Sequence, residues 1–243
     1  MTEVATEQAA RNCQRTTAPG SGGRLKIVLY NPQAVFFTMP LALLAIGSEL
    51  DPNTYEVVTI DGRLETDAVS TLLSHIEGAV CLGVTVLTGA PISDALLISR
   101  AAKRARPDLP VVWGGWHPSM FSRECLDEPS VDVTVRGQGE ETFAEIVSRL
   151  AEGRSLEGCA GCTVRLADGT ILENPPRPLA QVDKFRAHDY RLIPVERYFE
   201  LKGKRQLDFI SSQGCNFPAP SAPIRSSMDA SGWDWSRNAW RCG

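Results

Sequence analysis

What this sequence lacks narrows its reading first. Its longest apolar run, residues 35–47, carries Pro40 and falls short of the roughly 20 residues that a membrane-spanning helix needs. There is no long basic block and the net charge is only −4, so neither nucleic acid nor an anionic membrane is expected as a partner. Residues 1–24 hold no basic-then-apolar pattern, which argues against a secretory signal. The cysteines number seven, an odd count at uneven spacing. With no export signal, that points to a reducing cytoplasm and mostly free thiols. The three histidines, His75, His117 and His188, stand far apart, and none has a second metal ligand close by in sequence.

What is present is ordinary for a globular chain: 43% hydrophobic and 22% charged residues over 243 positions, enough for one good-sized domain with an appendage. Residues 1–24 are small and polar towards their end (Thr16-Thr17-Ala18-Pro19-Gly20-Ser21-Gly22-Gly23) and read as a disordered leader. Apolar strands are expected at residues 25–30 and 55–60, and three more end in threonine or glycine. These are Val80-Cys81-Leu82-Gly83-Val84-Thr85, Val111-Val112-Trp113-Gly114-Gly115 and Val131-Asp132-Val133-Thr134-Val135-Arg136-Gly137. Helical patterns fall between and after them, at residues 40–50, 67–75, 92–104 and 140–150. Short strands apolar on both faces, alternating with helices, read as a parallel sheet. Right-handed crossovers then give an α/β, flavodoxin-like (Rossmann-like) sheet of five strands in the order 2-1-3-4-5. Residues 162–166 and 170–173 form a hairpin around Ala167-Asp168-Gly169, Asn174-Pro175-Pro176-Arg177-Pro178 an extended linker, and residues 206–211 a further strand.

A sheet of this kind binds its ligand beyond the carboxyl ends of the strands. That places Thr85, Leu87, Thr88, Gly114, Gly115, Trp116, His117, Gly137, Gln138 and Gly139 at the candidate site. The paired glycines by themselves allow two readings: a tight strand-to-loop turn, or close approach of the backbone to a large ligand. Nucleotide-binding and receiver-type readings are disfavoured. Gly137-x-Gly139 is only a fragment of a G-x-G-x-x-G loop, and no acidic cluster follows the first strand. Cys159-Ala160-Gly161-Cys162 has no second C-x-x-C to complete a zinc site, so structural thiols are expected there. His117 invites a metal-ligand reading, but a lone histidine more often serves packing or hydrogen bonding.

The combination of Thr85-x-Leu87 with Gly114-Gly115 resembles the Ser/Thr-x-Leu and Gly-Gly elements of cobalamin-binding domains. In that family the hydroxyl lies beside the dimethylbenzimidazole tail and the glycines leave space for it. The resemblance widens through Asn31-Pro32, Gly83-Val84-Thr85, Val111-Val112-Trp113-Gly114-Gly115-Trp116-His117-Pro118, Val135-Arg136-Gly137-Gln138-Gly139-Glu140-Glu141 and Asn174-Pro175-Pro176-Arg177. Together, over about residues 25–217, these resemble the amino-terminal half of cobalamin-dependent radical S-adenosylmethionine (SAM) enzymes. One departure stands out. Many cobalamin domains carry Asp-x-His-x-x-Gly after the first strand, whereas this chain reads Asn31-Pro32-Gln33-Ala34-Val35-Phe36. The resemblance therefore implies a cobalt with no protein histidine below it.

Ser211-Ser212-Gln213-Gly214-Cys215-Asn216-Phe217 resembles the entry to the Cys-x-x-x-Cys-x-x-Cys loop, whose three thiolates hold a [4Fe-4S] cluster. Cys215 is the first such metal ligand, but Ala219 and Ala222 occupy the other two positions. The tail beyond Phe217 has no periodicity. If each codon is read from the preceding third base, cysteine becomes possible at both 219 and 222, the signature expected of a frameshift.

The organisation expected from these readings is a disordered leader (1–24), a cobalamin-binding domain (25–155), a hairpin and linker (156–210), and a truncated start of a radical SAM domain with an aberrant tail (211–243). The resemblance implies methyl transfer from methylcobalamin in the intact enzyme. This chain is expected to bind cobalamin but neither the [4Fe-4S] cluster nor SAM. The alternative is a stand-alone cobalamin carrier that serves a separate enzyme.

Overall fold

The computed structural model describes residues 23–35 and 38–210. The leader through Gly22, the tail from Ser211 and Cys215 within it all lie outside the described residues. β1 (Leu25–Asn31), β2 (Tyr55–Asp61), β3 (Ala79–Thr85), β4 (Val111–Gly114) and β5 (Val133–Val135) run parallel in the order β2-β1-β3-β4-β5, as the sequence predicts. The strand count needs correcting. β6 (Cys162–Arg165) pairs antiparallel with β5, and β7 (Ile171–Glu173) pairs with β6, so the hairpin extends one sheet of seven strands. The reason is edge protection: without the hairpin, buried β5 would present an open row of peptide groups. Cys162 and Val164 join the same apolar layer as Val133 and Val135.

The helices follow from capping and apolar spacing. α1 (Leu41–Glu49) starts after Pro40, α2 (Ala68–His75) is capped by Asp67, which accepts the Ser70 N–H at 3.0 Å, and α3 (Pro91–Ala105) carries proline in its first turn. Two short helices, α4 (Trp116–Met120) and α5 (Ser122–Cys125), connect β4 to β5. α6 (Glu140–Ala151) follows β5, and α7 (Val195–Lys202) lies in the linker.

Strand alternation divides the core between the two faces of the sheet. Val28, Tyr30, Leu82, Val84 and Trp113 pack with Leu72, Ala95 and Ile98 of α2 and α3. Ile27, Leu29, Cys81 and Val112 pack with Leu43 of α1 and with Phe143, Ile146 and Val147 of α6. The indole of Trp113 is satisfied inside the core, donating to Ser99 Oγ at 2.9 Å.

The linker is fastened to the domain. Buried Asn174 accepts the Gly158 N–H and donates to Leu156 O, Arg177 donates to Thr142 Oγ1 and Glu145, and Lys184 pairs with Glu141. Residues 206–210, expected to form a strand, do not. Asp208 instead accepts the Met39 N–H and pairs with Lys202, and the segment follows those anchors. Among the described residues no helix is long and apolar enough to cross a membrane.

Candidate functional site

The register lines up the carboxyl ends of the parallel strands. Asn31 pairs with Asp61, and Thr85 with Gly114. The pairs Tyr30–Val84 and Trp113–Thr134 put Asn31 level with Thr85 and Gly114 level with Val135. Cys81 and Val112 face the layer of α1 and α6, so by strand alternation Thr85 and Gly114 face that side as well.

The two glycines have different physical reasons. Gly115 adopts φ 97°, ψ −166°, a region that is essentially glycine-only. A Cβ there would lie 3.0 Å from Val86 O and 3.1 Å from Thr85 Oγ1. Gly114 has no positive φ, and a Cβ there would meet only Val135, at an ordinary 3.7 Å. Neither the backbone nor the packing of the protein itself demands glycine at 114. A Cβ at 114 would thus meet little of the protein itself at the end of the sheet, whereas the Thr85 hydroxyl lies beside Gly115.

The surrounding loops are tied to each other. Val86 N donates to Gly114 O at 2.7 Å, and His117 N donates to Val86 O at 3.0 Å. Leu87 is half-buried and Thr88 exposed, with Thr88 Oγ1 at 3.4 Å from His117 Nδ1. Burial lowers the His117 pKa, favouring the neutral imidazole, and its ring lies 5.2 Å from that of Phe121. Among the described residues there is no group of three or more His, Cys, Asp or Glu able to hold a metal ion. Cys159 and Cys162 are buried, with Cys162 Sγ hydrogen-bonded to Cys159 O and to Asn174 Nδ2, the structural arrangement the sequence suggests.

Past β5, Gly137 turns at φ 72° and Gly139 lies against Ile46 of α1. The side-chain amide of Gln138 bonds Ala180 on both sides, donating to its carbonyl at 3.0 Å and accepting its N–H at 2.7 Å. Around the end of β4 the surface is apolar: Trp116 is 51% exposed, Met120 37% and Phe121 41%. An open glycine-floored space, one hydroxyl and an exposed aromatic apron suit a large, partly apolar ligand bearing polar arms.

Sequence reasoning missed three groups here. Asp61, expected only as part of a turn, receives two bonds from the Arg63 guanidinium and a third from Tyr198 of α7 at 2.5 Å. Asp94 accepts from both Tyr30 OH and Gln33 N, while Gln33 Nε2 donates to Gly62 O. Ser119 bridges two loops, as developed below. The signal for Tyr30 was legible in principle, because a hydroxyl in a strand buried on both faces needs a partner.

Residues 28–147 match the model of the B12 binding domain. The chain is 34% identical over 185 residues to an uncharacterized methyltransferase of Pyrococcus horikoshii, covering 73% of this chain and 39% of that protein. It is 29% identical over 183 residues to an anaerobic magnesium-protoporphyrin IX monomethyl ester cyclase of Synechocystis, covering 72% of this chain and 36% of that one. The fold matches the radical SAM methyltransferase TsrM of Kitasatospora setae, solved with cobalamin and a [4Fe-4S] cluster bound. The TM-score is 0.57 at 24% identity, over 65% of this chain and 30% of that one. The chain thus spans well under half the length of each of these proteins. Residues 28–147 are a B12-binding domain.

Proposed function

We propose that this chain holds cobalamin with its nucleotide tail between the sheet and the layer of α1 and α6, and that it belongs to a B12-dependent radical SAM system of methyltransferase type. The observation that carries the reading is the unclaimed space at Gly114, a glycine the protein needs neither for its backbone nor for its packing. Thr85 Oγ1 lies against the next residue, Gly115. Asn31, Leu87, Thr88, Trp116, His117, Gly137, Gln138 and Gly139 supply the rim on which a corrin ring and its amide arms would rest. Bound methylcobalamin supplies a methyl group for transfer. The protein's part is to exclude water from the tail and to fix the ring against the rim. Gln33 is held on Gly62 O and Asp94, and no histidine follows β1, which supports a cobalt without a protein imidazole from that loop.

The test is titration with hydroxocobalamin followed by absorbance. The wild-type chain is expected to bind one equivalent. Gly114→Ala should keep its fold but bind about tenfold or more weakly, the cost of an extra methyl in a filled site. Absence of binding by the wild type, or equal affinity in the variant, sinks the reading.

A second reading has its own support. Of the three positions of the cluster motif only Cys215 is a cysteine, since Ala219 and Ala222 fill the others. A chain with one cluster thiolate would act as a cobalamin carrier for a separate catalytic protein. Reconstitution with iron and sulfide in the presence of SAM should then give neither a stable cluster nor 5′-deoxyadenosine, and formation of either refutes the carrier role.

A further inference from the structure

We propose that Ser119 is a positioning residue that sets the spacing of the loops after β4 and β5, which flank a slot at Gly114, and thereby selects corrinoids bearing a nucleotide tail. This rests on the proposed function, which assigns the space at Gly114 to that tail. The β4–β5 ladder ends at the pair Trp113–Thr134, one residue short of Gly114. Beyond it the two strands diverge into loops built on left-handed glycines, Gly115 at φ 97° and Gly137 at φ 72°. Neither glycine has a side chain to hold it in place. Ser119, on α4, spans the gap: its hydroxyl donates to Gly115 O at 2.7 Å and accepts the Gly137 N–H at 3.1 Å.

A serine hydroxyl has one proton to give and lone pairs to receive, and here it uses both to link the loops. Its backbone N–H also reaches Gly115 O, at 3.2 Å, so α4 itself is anchored to the loop it braces. On the opposite side Gly115 is backed by Val86 and Thr85. The result is a continuous tie from β3 across Gly115 and Ser119 to the loop after β5. Deeper in the same connection, Ser122 Oγ bonds Thr134 and Thr163, each at 2.7 Å. The base of α4 and α5 is thus fixed to β5 and β6, and Ser119 ties the loops of the rim above it.

The experiment compares hydroxocobalamin with cobinamide, a corrinoid that lacks the nucleotide tail, by absorbance titration of wild type, Ser119→Ala and Ser119→Thr. Wild type is expected to prefer cobalamin. Ser119→Ala should lose about 3- to 10-fold in cobalamin affinity, the worth of one hydrogen bond, with cobinamide affinity unchanged. Ser119→Thr, which keeps the hydroxyl, should restore the preference. In the ligand-free protein, amide hydrogen exchange at Gly137 should accelerate in Ser119→Ala. Equal binding of both corrinoids by wild type defeats the tail-slot assignment itself. A wild type that discriminates, with Ser119→Ala discriminating equally well, overturns the role of Ser119 alone. A parallel loss for both ligands marks Ser119 as merely structural and overturns it too. If Ser119→Ala fails to fold, Ser119→Cys, whose sulfur is a weak acceptor, is held to the same criteria.

Discussion

Replacing Gly115 with alanine is expected to destabilise the domain, whereas the same change one residue earlier is not. At φ 97° and ψ −166°, an alanine is strained by about 1–3 kcal/mol. The new methyl also lies 3.0 Å from Val86 O and 3.1 Å from Thr85 Oγ1. The first of these is backbone fixed in the strand-end bonding to Gly114 and His117, so it cannot step aside cheaply. Together these effects amount to about 2–4 kcal/mol, or a fall in Tm of about 4–16 °C for a domain of this size. Gly114→Ala meets only Val135 at 3.7 Å and makes the unfolded chain stiffer, so its stability should stay within about 1 kcal/mol of wild type. Differential scanning calorimetry of the two variants without ligand decides the matter. Equal melting temperatures for both, or a Gly114→Ala that melts as low as Gly115→Ala, would refute the assignment of separate roles to the two glycines.

Two further outcomes are expected. Asp61→Ala removes the carboxylate that pairs with the Arg63 guanidinium and accepts from Tyr198, and should cost about 1–3 kcal/mol in urea unfolding. Tyr198→Phe, which removes one bond to Asp61, should cost less than half as much, and a reversed ranking would dismiss the ion pair as the anchor of α7. The Arg100 guanidinium holds the Glu128 carboxyl at about 2, below its usual 4.5. The unfolded chain therefore binds more protons between those values. The pair's contribution is complete above pH 4.5 and is lost as pH falls towards 2. Because Arg100 is half exposed, solvent screens the pair and that contribution is small. Glu128→Gln should flatten this acid limb of the stability curve, and an unchanged limb counts against the pair.

The parallel sheet was legible because strands buried on both faces must be apolar throughout, and β1, β3 and β4 have no other reading. Their order followed from crossover handedness. The loop residues Thr85, Gly114 and Gly115 were legible as neighbours because strand ends in a parallel sheet share one edge. The joining of β6 and β7 to that sheet was not, since a hairpin pattern does not reveal which edge it will cover. Residues 206–210 misled because their alternating apolar residues suggest a strand, whereas Asp208 ties the segment to Met39 and Lys202 instead.

The sequence by itself determined the fold class and the strand order, since these depend on periodicity and chain handedness, which are local properties. Only the tertiary structure distinguished the two adjacent glycines, one required by its backbone angles and the other by neither backbone nor packing. It alone brought Ser119 against Gly137 and Tyr198 against Asp61. Those pairings cross long stretches of chain, and a hydroxyl in sequence carries no sign of the partner that folding will bring to it.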